Sequence, residues 1–546
     1  MTSRNTRAML AAALSTIVVC AIALRTQQSF YSDPAQQMKT ALQFVAGASP
    51  APNDWVRPDY DDLSRDVEEP LVVWAPGTSL VFVPFVRAGF SPAVAARIVA
   101  ALALILGAAG WARWCAAFDL PDAIVFLLAV GIGWLRFASN AVFLYNSEIL
   151  VFAAVPGVLV AAMAADRAGG ARRFAAMALV GLAAGALYVV KYSASFVTAA
   201  VLAWLAWRSL RREASPEGSL ARRAAPVLVA IVASAAPVIA LSAWNRSHGG
   251  AANLMFATFG IRWDWAYVAH ALAAPALTAA DLASLLGYVL MHPVHGVTQN
   301  AAWLTAIGFP GGLLLAWFAL RPRVNGAPAD LARSVFGVSL VAIVVVWTMS
   351  TVVSIESRHL ASAGFAMLPL ALAEGRARWP GATRQMRAML ACAVISFVAA
   401  PFAYGVVSVA AKAMRYPPAY RTGPSGIYNP LLAERDAASV AAALTVDCAP
   451  DDDVWYLVEP LTNLDLGGRA IVRNADFIPV DALRQDRFRT SRRLRVRALL
   501  PPRFELNGKA AAIRASFPQA AQWSRSTIAG AEYDLWTTIL EPGDVR

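Results

Sequence analysis

Four short segments set side chains with useful chemistry against apolar runs. Tyr31-Ser32-Asp33-Pro34 offers a carboxylate at the start of an expected helix over 34–46, where Pro34 suits the first turn. Asp33 reads as the N-cap of that helix or as a base for an incoming hydroxyl, and one side chain can do both. Tyr145-Asn146-Ser147-Glu148 puts Glu148 at a hydrocarbon edge, where a carboxylate is costly unless it has a partner or caps a helix. Lys191-Tyr192 interrupts an apolar stretch, so the ammonium either snorkels to the surface or meets an anion there. In Glu356-Ser357-Arg358-His359 the guanidinium suits a bidentate phosphate, with an internal pair to Glu356 as the alternative. A carboxylate base with cations at a lipid boundary suits a ligand that is a lipid phosphate. Asp33 and Glu148 are the catalytic candidates, and Lys191, Tyr192, Glu356, Arg358 and His359 the substrate-binding ones.

Weaker signals lie elsewhere. The acidic run from Asp54 to Glu69, including Asp59-Tyr60-Asp61-Asp62, is a solvated face or a set of oxygen ligands without a defined cage. His292 and His295 have metal-compatible spacing but no evident third ligand. No cofactor is demanded, although a divalent metal ion stays open. Cys20, Cys115, Cys392 and Cys448 are too scattered for a disulfide framework or a zinc cluster.

The elements that must position these groups are membrane spans. Of 546 residues, 58% are hydrophobic and 15% charged, with mean hydropathy +0.52, which excludes an ordinary soluble protein. Eleven apolar windows fall near 8–24, 92–111, 121–138, 147–165, 174–190, 193–209, 224–243, 301–320, 333–353, 360–374 and 387–408. If the first enters from the cytoplasm, the short inner segments hold eighteen arginines, and the short outer ones only Arg136, Lys191 and Arg358. That asymmetry is what the positive-inside rule asks for, and it explains the net charge of +12 without nucleic acid, for which no basic face is found. A first loop (25–91), a loop over 244–300 and the chain after 410 then lie outside. Gly77 to Phe90 and Leu282 to Met291 are too short to cross and read as interfacial helices on that face. After a Pro/Gly linker from Pro417 to Gly426 the chain turns polar, with strand-like Val454–Val458, 470–472 and 494–500 and a helical 431–444. Residues 411–546 therefore read as a small extracytoplasmic α/β domain, and 1–410 as an all-α polytopic module.

The order of these features resembles the GT-C membrane glycosyltransferases. The resemblance rests on Asp33 after the first span, on Trp74-Ala75-Pro76-Gly77 before an interfacial helix, and on Ser91-Pro92 with Ala95-Ala96-Arg97 opening the second span. It continues in Asn146-Ser147-Glu148, Val190-Lys191-Tyr192-Ser193 and Ser357-Arg358-His359-Leu360. The likeness covers 8–410 and is similar in plan to bacterial aminoarabinose transferases of lipid A and to protein O-mannosyltransferases. It implies a polyprenyl-phosphate sugar donor used outside the cytoplasm and Asp33 as catalytic base; the arginine-rich, alanine-rich style of the chain points to a bacterial inner membrane. Protein O-mannosyltransferases tend to carry an Asp-Glu pair where this chain has Asp33-Pro34, so a protein acceptor is less supported than a glycan or lipid.

The physical logic agrees. A phosphate leaves as an anion, so the reaction needs cations for it, Arg358 and Lys191, and a base for the acceptor, Asp33. Attack on the anomeric carbon from the opposite face predicts inversion, and Glu148 orients hydroxyls. The rival readings are a transporter or flippase of lipid-linked sugars, whose charges usually sit near mid-membrane, and a lipid-diphosphate-dependent polymerase or ligase.

Overall fold

The computed structural model describes residues 3–211, 220–248, 261, 263–265, 267–269, 271–273, 301–349, 360–415, 423–429, 434–445, 452–475, 478–528 and 531–545. Where they are described, the eleven apolar windows fall on helices, with a break at 133–135 in the third. Eight helices among the described residues are long and apolar enough to cross a membrane, the first Ser3–Ala23 and the last Ala327–Val346. The remaining windows are Ala301–Leu320, Ala361–Arg378, and a run through Arg384–Val394, a π-turn at Ile395–Ala399 and Ala400–Arg415.

Lipid tails are as apolar as leucine, so these helices associate through close packing rather than through the hydrophobic effect. Gly181 and Gly185 show how: an added Cβ would lie 2.2 Å from the carbonyl oxygens of Ala230 and Ser234, so the helices Gly170–Val190 and Leu220–Ser247 meet backbone to backbone. Rings fill the wider gaps. Trp111, Phe152 and Phe365 lie 5.5 to 6.4 Å apart, and the Trp111 and Trp114 indoles donate to the carbonyls of Phe152 (3.0 Å) and Ala366 (3.2 Å), satisfying their polar ends inside the bundle. Leu14, Leu106, Leu179 and Val232 point outward, as side chains facing hydrocarbon should.

The arginine asymmetry corresponds to one physical end of the bundle. Arg4 pairs with Asp122 at 3.1 Å, Arg208 with Asp166 at 3.2 Å, and Arg333 with Asp330 at 3.2 Å and the fully buried Glu374 at 2.7 Å. Glu374 also accepts from Arg378 and from the amides of Arg323 and Val324, so its charge is fully met.

The opposite end carries a layer built from the first loop and the C-terminal domain. In the loop, β2 (Asp54–Pro58) and β3 (Asp66–Pro70) form a hairpin. The C-terminal domain is a five-stranded sheet in the order β6-β5-β7-β9-β8, with β5 (Asp453–Leu457), β6 (Arg469–Val472) and β7 (Leu494–Leu500) parallel, and β8 (Ser524–Thr527) and β9 (Asp534–Leu540) antiparallel. Leu63 of the loop is fully buried in the core of this domain, and Asp66 pairs with Arg469 at 2.7 Å. Two segments that pack together must share a side, so the chain between them crosses an even number of times. The ten windows after the first loop satisfy that; counting Gly77–Arg87 as a span would not. Gly77–Arg87 is an apolar helix of 11 residues, short as expected, and ends three residues earlier than Phe90.

Candidate active site

The site begins with a two-residue parallel pairing between chain segments more than a hundred residues apart. β1 (Ser29–Phe30) lies beside β4 (Leu144–Tyr145), with Phe30 opposite Tyr145; the Ser29 amide donates to Phe143 at 2.8 Å and the Tyr31 amide to Tyr145 at 3.0 Å. Because the strands run the same way, both chains leave in the same direction, and Asp33 and Glu148 each come three residues later. Each lands in the first turn of a helix, Ser32–Val45 and Glu148–Arg167, where the unpaired amides favour a carboxylate. The expectation that Asp33 caps its helix is corrected: the N-cap is Tyr31, and Asp33 is the second helical residue, its Oδ1 accepting from Ser32 Oγ at 3.2 Å. The helix also starts two residues before the expected Pro34.

Glu148 is 2% exposed and forms an ion pair with Lys191. The Gly170–Val190 helix ends where the backbone turns extended at Lys191 (φ −162°), which swings the ammonium onto Glu148 Oε1 and onto Ser147 Oγ at 2.7 Å. Two of its three N–H donors are thereby engaged among the described residues, which leaves one for a further acceptor. Gly77 brings the interfacial helix against this corner. An added Cβ would stand 2.5 Å from Val190 Cα and 2.9 Å from the Val189 and Val190 carbonyl oxygens. The buried Tyr145 ring packs at a tilt against Phe30 (5.6 Å) and Phe82 (5.0 Å), and burial, reinforced by the Glu148 carboxylate, pushes its phenol above its ordinary pKa.

The helix that carries Asp33 is pinned along its length. Gln37 donates to the Ala75 carbonyl at 2.8 Å, Thr40 bonds Ser79 at 3.2 Å, and the Gln43 amide group bridges both backbone groups of Val56. Lys39 donates to the carbonyls of Asn463 (2.9 Å) and Leu466 (2.7 Å), capping a turn of the C-terminal domain. Burial holds its ammonium down at about 8, with Asp465 opposing. A carboxylate on a helix held this way has a fixed place.

The acidic run serves the architecture. Asp59 pairs with Arg65 at 2.6 Å and Glu69 with Arg57 at 2.7 Å. Burial works against ionisation of Asp62, yet hydrogen bonds from Ser64 and Ser491 hold its carboxyl down at about 2. Among the described residues no three His, Cys, Asp or Glu side chains gather as metal ligands. Tyr192 lies half-buried beside Lys191, its ring 4.8 Å from Tyr188. Glu356, Arg358 and His359 lie outside the described residues, as do His292 and His295.

Reading the sequence alone passes over Tyr145 and Ser147 as site residues, and Gly77 as the contact that sets the corner. Arg97 is also new in detail: it is half-buried and donates to the Thr26 carbonyl where the first span ends. A polar residue at a hydrocarbon edge was the available signal for Ser147 and Arg97; nothing local marks Tyr145.

In architecture the chain is similar to ArnT from Cupriavidus metallidurans in the apo state, over 98% of both chains, with TM-score 0.53 and 13% sequence identity. The fold is a GT-C fold. A structure of ArnT from the same organism bound to undecaprenyl phosphate aligns over 97% of both chains at TM-score 0.49 and 13% identity. No protein-family model matches the sequence, and no curated protein matches it.

Proposed function

We propose that this protein is a membrane glycosyltransferase that moves a sugar from a polyprenyl-phosphate donor to an acceptor hydroxyl or phosphate at the end of the bundle bearing the first loop and the C-terminal domain. That end is the periplasmic face of a bacterial inner membrane, since the arginine-rich end belongs in the cytoplasm. The observation that carries the reading is the Phe30–Tyr145 register. From it two helices start, each with a carboxylate in its first turn three residues after the paired strand, and one of these carboxylates holds a lysine ammonium that has a third N–H donor beyond its two bonds among the described residues.

In this reading Asp33 takes the proton of the acceptor as its oxygen attacks the anomeric carbon, the bond to the phosphate breaks on the opposite face, and the anomer inverts. Lys191, steered by Glu148 and Ser147, meets the departing phosphate together with Arg358, and Tyr192, His359 and Glu356 line the donor head group. The prenyl chain lies among the spans, where no ordered water has to leave a polar pocket. Transfer is measured with purified full-length protein and a polyprenyl-phosphate sugar. Asp33→Asn keeps the shape and removes the base, so turnover should fall by at least roughly a hundredfold, the scale of a general base. Near-normal turnover in a folded Asp33→Asn protein removes Asp33 from the mechanism, and preference for a diphosphate donor replaces the reading with a lipid-diphosphate enzyme.

A further inference from the structure

At the arginine-rich end, away from Asp33, the bundle holds a cavity of about 700 Å³. Its walls come from four helices and are almost wholly apolar, with Ile124, Phe318, Met367, Ala371, Ile395 and Val398 among them. Ile395 and Val398 belong to the π-turn inside the helical run from Arg384 to Arg415, a local widening of the kind that often marks a function. The polar groups are confined to the mouth. Arg376 stands there half-exposed, with one hydrogen bond to the Asp119 carbonyl (2.8 Å) and only a distant approach, 3.9 Å, to the solvated Asp119 carboxylate. Trp379 lies beside it, with the Arg387 guanidinium 6.0 Å from its ring centroid. The helix Arg384–Val394 starts at the same rim, capped by Thr383 and adding Arg384.

An apolar chamber within ligand-sized limits, at membrane depth, ringed by guanidiniums and an indole at head-group level, is complementary in both shape and charge to one kind of molecule. We propose that this cavity binds an anionic glycerophospholipid of the leaflet at the arginine-rich end, an acyl chain filling the chamber and the phosphate resting on Arg376 and Arg387. The site is separate from the proposed donor site, and its occupant enters from the other side of the membrane.

Native mass spectrometry of the delipidated full-length protein, given equal amounts of dioleoyl phosphatidylglycerol and dioleoyl phosphatidylcholine, tests this. Retention of phosphatidylglycerol should exceed that of phosphatidylcholine roughly tenfold, given two basic groups near the head group. Arg376→Gln should bring the ratio close to parity while a lipid is still retained. Ala371→Phe should expel both lipids by filling the chamber; Leu372→Trp fills it from the next position if the first variant does not fold. Leu179→Phe, on an exposed position of another helix, should change nothing. Equal retention of the two lipids, a ratio unmoved by Arg376→Gln, undiminished occupancy in both filled variants, or displacement of phosphatidylglycerol by a polyprenyl phosphate overturns the proposal.

Discussion

Breaking the Glu148–Lys191 pair tests the corner where the site is assembled. Lys191→Met keeps the length of the side chain and removes the ammonium from Oε1 of a carboxylate that is 2% exposed. Removing one partner of a buried pair costs about 3–5 kcal/mol. Lys191 keeps 16% of its side chain exposed, and the Ser147 hydroxyl that it engages stands next to the Glu148 carboxylate in the chain, which argues for the lower end, about 3 kcal/mol. Glu148→Gln retains an oxygen for the ammonium and loses only the charge, costing about 1.5 kcal/mol. If the two side chains hold each other, adding Glu148→Gln to Lys191→Met removes the charge that has lost its ammonium, and the cycle shows a favourable coupling of about 2 kcal/mol or more. A membrane protein of this size does not unfold in two states, so the assay is the order of thermal midpoints in one detergent: wild type, then Glu148→Gln, then the double variant, with Lys191→Met lowest. Transfer behaves differently: both Lys191 variants should lose it, because the cation proposed for the phosphate is gone in each. A double variant no more stable than Lys191→Met refutes the pair, and one that recovers transfer refutes the role of Lys191 at the donor.

Further outcomes follow from other contacts. Gly77→Ala drives a methyl into the backbone at Val190 and should destabilise by about 1–3 kcal/mol, lowering transfer because the Lys191 corner moves; the measurement is thermal stability alongside turnover. Leu63→Ala empties a fully buried position in the sheet domain and should cost about 2–5 kcal/mol, seen as faster proteolysis after residue 415 in the full-length protein. Glu459 is fully buried, and burial raises its carboxyl to about 7 against the hydrogen bonds it accepts from Asn429, Leu461 and Thr462. The folded form holds a proton that the unfolded chain releases near 4.5, so stability is full below that value and declines as pH rises to about 7, by on the order of 3 kcal/mol. Thermal scans from pH 4.5 to 8 should show that slope in the wild type and a flatter one in Glu459→Gln.

What was legible in the sequence was what repeats or accumulates along the chain. Each span announces itself over some twenty positions, and the arginines report sidedness because there are eighteen of them on one face. The interfacial helix was readable from length alone, and β5, β6 and β7 from their short apolar runs. Of the strands that escaped notice, β8, Ser-Arg-Ser-Thr, is polar and exposed along its length, and the β2–β3 hairpin reads locally as an acidic loop, whereas β9, Asp-Leu-Trp-Thr-Thr-Ile-Leu, carried an apolar signal that was passed over. The site was legible as an inventory and hidden as a geometry. Asp33, Glu148 and Lys191 each stood out because a charge beside hydrocarbon needs a reason, but the reason for Glu148 is a lysine 43 positions away.

The pairing of Phe30 with Tyr145 explains why such a site can be stable with so little regular structure around it. Two residues on each side supply few hydrogen bonds, and a bridge this short would not survive alone in water. Here both strands are extensions of helices locked in the bundle, so most of the ordering cost is met by packing elsewhere, and the bridge has only to choose a register. The choice matters because both carboxylates follow their strand by the same three residues: a slip of one position would turn the Tyr145 ring away from Phe30 and Phe82 and carry Glu148 off the end of the Gly170–Val190 helix where Lys191 waits. Phe30→Ala therefore acts on chemistry through register. It should lower transfer with the Glu148–Lys191 pair still chemically intact, and a Phe30→Leu variant that refills the volume should restore most of it. Equal activity in both variants would mean that the backbone bridge holds register without the rings.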